Sequence, residues 1–236
     1  MAERTADRTT MARWRPLDRR DGGGLARFVT SPRDHRDRAS QRARAPRYHR
    51  MTTNPSTDAP TNQSLGDAWD KHLGAEFAAH DADATIATMT GTPRVNHIPV
   101  MTGGDGKPQL HRFYAKFFLP QLPPDIAITP VSRTIGQGRV VDELNITFTH
   151  TLPMIWMLPG IPPTGKRVEV ALVVVAQCEG TKLAHEHLYW DQASVLVQLG
   201  LIDPATLPVV GVEGTRSVLD RSLPLNLLIE RAGGGT

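Results

Sequence analysis

The sequence predicts an α+β fold: one curved antiparallel sheet shaped as a cone, with helices packed on its concave side. Three observations predict it. Before residue 120 the apolar residues recur at helical spacing, and from Ile126 onward they recur at every second position. The β-patterned stretches are joined by short turns of Gly, Pro and polar residues. Helices that precede a sheet must cover one of its faces to bury their apolar stripes, and a bent sheet covered in this way leaves a hollow between the layers.

Leu65 to Phe77 places Leu65, Ala68, Trp69, His72, Leu73, Glu76 and Phe77 near one helical face. Asp81 is an N-cap for a second short helix, Asp83 to Met89, which Gly91 and Pro93 end. Arg94 to Met101 has strand composition, and GGDGKP after it reads as a turn. Leu110 to Leu119 gathers Leu110, Phe113, Tyr114, Phe117 and Phe118 on one face until Pro120, Pro123 and Pro124 stop it. Four strands follow, Ile126–Ile135, Gly138–Leu152, Arg167–Glu179 and Lys182–Trp190, with hairpin turns near Gly138 and at Glu179–Lys182. Gln192 to Leu199 closes as a helix, and about 140 residues of this kind make one domain.

Charge divides the chain. Residues 1–50 hold fourteen Arg, no Lys and six acidic residues, a net of +8, which leaves −5 for the rest of a chain whose total is +3. The apolar residues there, Trp14, Leu17, Leu25, Phe28 and Val29, are too scattered to form a core, so residues 1–62 are expected to be a disordered extension. Asp18, Asp21, Asp34 and Asp37 break the acid-poor pattern of an organellar transit peptide, and residues 1–50 read as an over-extended start ahead of Met51. A nucleic-acid arm is the other use of so many arginines, and it is not the expectation here. Residues 63–203 form the domain and 204–236 a surface extension whose SVLDRSLPLNLLIE stretch packs back or against a second subunit. No apolar stretch approaches the ~20 residues that span a bilayer, and a single cysteine, Cys178, fits a reducing compartment, so a cytoplasmic protein is expected.

Several polar residues stand among the Val, Leu and Ile of the strands. On the last strand His185, His187 and Tyr189 alternate with Glu186, Leu188 and Trp190, so the two sets face opposite sides of the sheet. The histidine pair suits proton transfer, with Asp142 or Glu143 holding a tautomer, and is expected to line the hollow. His97 is placed in the pocket with Tyr114, and Trp156 between Met154 and Met157 is expected to roof it. Asp191, just before a helix, is an N-cap by position. His185 and His187 with His97 or His150 would be the rival metal set, but nothing in their spacing fixes its approach, and neither a metal nor an organic cofactor is expected. Cys178 reads as a small core residue, and no G-x-S-x-G, phosphate-binding loop or dinucleotide fingerprint occurs.

The order of elements, the PPTGK turn (Pro162–Lys166) between long strands, and a last strand that ends HEHLYWD before a QLG helix resemble the nuclear-transport-factor-2-like superfamily. Within it the chain resembles the SnoaL-like polyketide cyclases and their bacterial relatives, over Leu65 to about Asp203. The resemblance implies a cone with a deep apolar pocket, frequent dimers, and acid–base chemistry without metal or organic cofactor. In those cyclases an aspartate near the start of the last helix removes a proton from a carbon beside carbonyls, and the enolate closes a ring by aldol addition. Asp191 stands at that place here, while Gln192, Ala193 and Ser194 stand where the pattern has a second acid. Two functions follow as expectations: an acid–base cyclase, isomerase or dehydratase acting on a small apolar carbonyl compound, or a ligand-binding or dimerisation module of the same fold.

Overall fold

The protein is described by a computed structural model over residues 60–234, so the expectations for the Arg-rich extension fall outside the described residues. Helix α1 (Asn62–Leu73) starts where the Thr61 hydroxyl accepts the Ser64 amide at 3.1 Å. It turns Leu65, Trp69 and His72 inward. A Cβ on its Gly66 would stand only 3.2 Å from the Ile135 side chain, and the missing side chain lets the helix lie close on the sheet. The expected continuation to Phe77 is a wider turn, Gly74–Ala78, closed by the Ala79 amide on the Gly74 carbonyl. After α2 (Ala82–Ala87), capped by Asp81, come β1 (Met89–His97) and β2 (Thr102–Asp105). Of the GGDG stretch, expected as a turn, Gly103 to Asp105 pair as part of edge strand β2, and the absent Cβ at Gly103 permits its close approach to the Val95 carbonyl. Helix α3 (Lys107–Phe113) widens in the same manner over Tyr114–Phe118.

Strands β3 (Ala127–Gly136), β4 (Arg139–Thr149), β5 (Arg167–Glu179) and β6 (Lys182–Trp190) follow as a meander. The six-stranded sheet has the order β2-β1-β6-β5-β4-β3. Four pairings are antiparallel and one, β1 with β6, is parallel, because β1 was laid down before the meander and closes against its last strand by a long crossover. Helices α4 (Gln192–Gln198), α5 (Val212–Leu219) and α6 (Leu227–Arg231) complete the chain.

Strict alternation on β5 sends Val168, Val170, Leu172, Val174, Ala176 and Cys178 to the inner face. Each fully buried aliphatic side chain contributes about 1.5–3 kcal/mol. Opposite them lie Leu65, Trp69, Leu110, Phe113 and Phe118 from the helices. A bulge between Pro130 and Ser132 shifts the parity of β3, so that Arg133 faces inward beside Asp142 while Ser132 pairs outside with Glu143. The extension is tied down at its α5 end, where the Thr215 hydroxyl donates to the Glu169 carbonyl and Arg216 pairs with the Glu169 carboxylate at 2.7 Å, while the following SVLDRSLPLNLLIE stretch, expected to pack, leaves Leu219, Leu225, Leu227 and Ile229 exposed. No helix among the described residues is long and apolar enough to cross a membrane.

Candidate functional site

A cavity of about 110 Å³ lies between the inner face of the sheet and the helices. Its wall is aromatic and aliphatic, and the polar side chains in it are few: Glu76, Tyr114 and Glu186 on one side, Arg133 and Asp142 on another, and His97. Each reaches the cavity for a local reason. Glu186 belongs to the inward set of β6 with Leu188 and Trp190. Glu76 and Tyr114 both sit on the two wide turns, and such turns rotate a side chain away from where a regular helix would leave it.

Behind the two glutamates lies His72, wholly buried on α1. Its Nδ1 is 2.6 Å from the Thr88 hydroxyl oxygen, and that hydroxyl donates its only proton to the Thr85 carbonyl at 2.6 Å. Nδ1 must therefore carry a proton and donate it to Thr88. Nε2 then faces the Glu76 and Glu186 carboxylates, with an oxygen of each 3.0 Å away. Neither contact has the alignment of a hydrogen bond: Nε2 and the Glu186 oxygen remain formally unpartnered, as does the buried Tyr114 hydroxyl. A bare Nε2 against two carboxylates would repel both, so this atom holds a proton shared between them. Burial by itself lowers the proton affinity of His72, but the Glu186 and Glu76 charges reverse it and raise the pKa to about 10. Burial pushes the Glu186 carboxyl up, opposed by His72. Burial and then the Glu76 and Glu186 charges push Tyr114 well above its ordinary value, which makes its hydroxyl a donor and not a base. Trp69 stacks on the His72 ring at 5.6 Å and 15°.

The second polar group is an ion pair with additional hydrogen bonds. Asp142 accepts two bonds from Arg133, at 2.7 and 2.8 Å, and one from the Trp69 indole at 2.7 Å. Arg133 reaches Asp70 of α1 with its remaining nitrogen, at 2.7 Å. These bonds, with Asp142 before burial and Asp70 after it, raise the already high pKa of Arg133. With three charge-assisted or indole bonds accepted, Asp142 fixes α1 to the sheet.

His97 stands apart from both groups. It ends β1 inside a ring of Phe113, Phe118, Trp156 and Trp190, with centroids 5.5–6.1 Å away. Burial lowers its pKa to about 3, against a smaller rise from the nearby Trp156 backbone carbonyl, so it stays neutral at physiological pH.

Of the residues expected from the sequence, His97, Tyr114, Trp156 and Asp142 lie in the cavity wall. His185, His187, Tyr189, Glu143 and Asp191 do not. The two histidine rings stack at 4.9 Å on the opposite face of the sheet, Tyr189 beside them is 43% exposed, and Glu143 accepts from Ser132 on that same face. The parity of β6 is set by Leu188 and Trp190, whose apolar area outweighs the histidines, and by His72, which makes burial of Glu186 tolerable. Asp191 is exposed and caps α4, accepting the Ser194 amide at 3.1 Å. The rival set of three histidines is not assembled, since His97 lies inside, His185 and His187 outside, and His150 is buried against Thr164 at 3.2 Å. Among the described residues the one group with metal-ligand spacing is His72, Glu76 and Glu186, whose donor atoms fall within 4.8 Å of one another. A cation there would have to displace the Nε2 proton.

Sequence reasoning placed His72 and Glu76 on the apolar stripe of the first helix but gave them no role. The usable signal was present: two titratable residues at i and i+4 on an otherwise apolar face need a buried partner, and the acid inside HEH is that partner.

Solved structures are similar to this chain at low identity. TsrD from Streptomyces laurentii is 17% identical with a TM-score of 0.49, over 60% of this chain and 98% of that one. AclR from Streptomyces galilaeus is 17% identical with a TM-score of 0.48, over 61% and 89%. A SnoaL-like protein from Jannaschia sp. CCS1 is 20% identical with a TM-score of 0.48, over 64% and 99%. A comparison with curated proteins finds no match. The family model described as SnoaL-like polyketide cyclase matches residues 72–199, which begins at His72, takes in the whole sheet and ends at the last residue before Gly200. The chain, matched over more than half its length, belongs to the SnoaL-like polyketide cyclase family.

Proposed function

We propose that the protein is an acid–base enzyme of the cyclase, isomerase or dehydratase kind, acting on a small apolar carbonyl compound held in the cavity. The observation that carries this reading is the position of His72 Nε2, 3.0 Å from an oxygen of each of two buried carboxylates that line an apolar hollow. Burial pushes the Glu186 carboxyl up, which makes it a stronger base than a carboxylate in water. In the proposed reaction one glutamate removes a proton from a carbon beside the substrate carbonyl. The electron pair moves to the carbonyl oxygen, and the Tyr114 hydroxyl, which has no partner of its own, donates to the developing oxyanion. His72 balances the charge as the proton arrives. The enolate then closes a ring by attack on a second carbonyl or is reprotonated elsewhere. Convergent, perturbed groups support an enzyme over a pure binding module. A homodimer in the cytoplasm is part of the same proposal, in keeping with a single buried, unpaired cysteine.

Exchange of α-hydrogens in deuterated buffer tests it, read by NMR with cyclohexanone, acetophenone and β-tetralone as probes. The protein is expected to accelerate exchange of at least one, and Glu186→Gln to reduce that acceleration by about 10²-fold or more. Equal acceleration by Glu186→Gln and Glu76→Gln, or none by the native protein with any probe, removes the reading.

A further inference from the structure

Thr102 settles the chemistry of His97. Its hydroxyl has one proton and gives it to the Trp156 carbonyl, 2.6 Å away. It can therefore offer His97 only lone pairs, and the 2.9 Å contact with His97 Nδ1 must be an N–H of the ring donating to Thr102. The ring is neutral, so Nε2 has no proton and is an acceptor only. No described residue hydrogen-bonds to Nε2, although the ring is 2% exposed and lines the cavity. Of the rings around it, Phe113 and Phe118 carry no donor, the Trp190 indole donates to Gln192, and the Trp156 indole N–H makes no hydrogen bond to any described residue.

We propose that His97 is a specificity-determining residue that selects ligands carrying a hydroxyl on a small apolar ring, by accepting that hydroxyl's proton at Nε2. The proposal deepens the acid–base reading, on which it rests for the other end of the substrate. Three features fix the class. The acceptor has no proton to give, so a ligand group that only accepts, such as a carboxylate or an ether, gains nothing there. The surrounding aromatic walls favour a flat apolar body, and the cavity volume suits a single ring. The register, Val95 beside Glu186 and His97 beside Leu188, puts the two residues two positions, about 7 Å, apart along the paired strands, so that one ring compound can meet His97 at one end and the glutamate at the other. A site built to pair a hydroxyl discriminates strongly against an analogue that lacks it, because its own acceptor is then left unpaired.

The test uses phenol and toluene as probes of equal shape with the full chain. The ratio of toluene to phenol dissociation constants, measured by calorimetry, is expected to fall about fivefold or more in His97→Phe, the equivalent of one net hydrogen bond. In the unaltered protein a two-bond ¹H–¹⁵N spectrum is expected to show His97 protonated at Nδ1 and bare at Nε2, with the Nε2 resonance moved by phenol and not by toluene. Thr102→Val removes the acceptor that fixes the tautomer and should lower the same selectivity, which provides a second variant should His97→Phe not fold. A proton on Nε2 in the unaltered protein, or an unchanged ratio in a folded variant, overturns the proposal. Glu186-dependent exchange with cyclohexanone, which has no hydroxyl, is read independently, so a failure at His97 is distinguished from a failure of the acid–base reading.

Discussion

Replacing Glu186 by Gln should change how the stability of the protein depends on pH, and the size of the change follows from the His72 cluster. The folded-state pKa of His72 is about 10 against 6.5 in the unfolded chain. A basic group with a raised folded pKa stabilises the fold fully below pH 6.5, and that stability is lost as pH rises through about 10. The slope between these limits is about −1.4 kcal/mol per pH unit, and its integral is about 5 kcal/mol, an upper bound because Glu186 shares the proton. Glu186 acts in the same sense: a carboxyl whose folded pKa is raised also loses stability with rising pH. Gln at this position leaves Glu76 alone to hold the His72 proton, so roughly half of the loss, on the order of 2–3 kcal/mol, should disappear from the pH 7–10 window. Urea unfolding at half-unit intervals from pH 6 to 10.5 measures it, and the difference between native and variant curves removes the common titration of surface Lys and Tyr. Parallel curves across that window would mean that His72 does not hold its proton between the two carboxylates, and the acid–base reading would lose its basis.

Other consequences follow from the same contacts. Arg133→Met leaves the Asp142 carboxylate buried with only the Trp69 indole, and should cost about 2–3 kcal/mol, seen as a fall in Tm, whereas a loss below about 0.5 kcal/mol would show that Arg133 is not the partner that matters. His185→Ala and His187→Ala, on the face away from the cavity, should leave α-hydrogen exchange at the native rate, and a drop of tenfold in either would return the outer face to consideration. Asp191→Ala should lose about 1 kcal/mol of stability through the α4 cap without change in exchange. Thr88→Val strands the Nδ1 proton of His72 and should cost about 1–3 kcal/mol in thermal or urea unfolding at pH 7.

The fold was legible because its signals are local. Period-two patterning located four strands, and the hairpin turns and prolines bounded them; alternation did not reveal the pairings of β1, with the glycine-rich β2 on one side and in parallel with β6 on the other, since the second depends on where an early strand closes against a late one. The site was legible only in part, and for a reason of parity. On β6 a shift of one position exchanges Glu186 for His185 and His187, and two histidines on one face look more like chemistry than one acid does. Desolvation decides the other way: three side chains of the inward set, Glu186, Leu188 and Trp190, are held by apolar contact and by one imidazole from a helix more than a hundred residues earlier. The same long-range dependence hid the β3 bulge, which moves Arg133 to the inner face where a regular strand would have placed Ser132. It also hid the wide turns that swing Glu76 and Tyr114 into the cavity. A polar residue on an apolar stripe is thus informative chiefly as one half of a pair. His72 and Glu76 on the stripe of the first helix already implied a third group, and the only acid on the last strand was the group that could meet them.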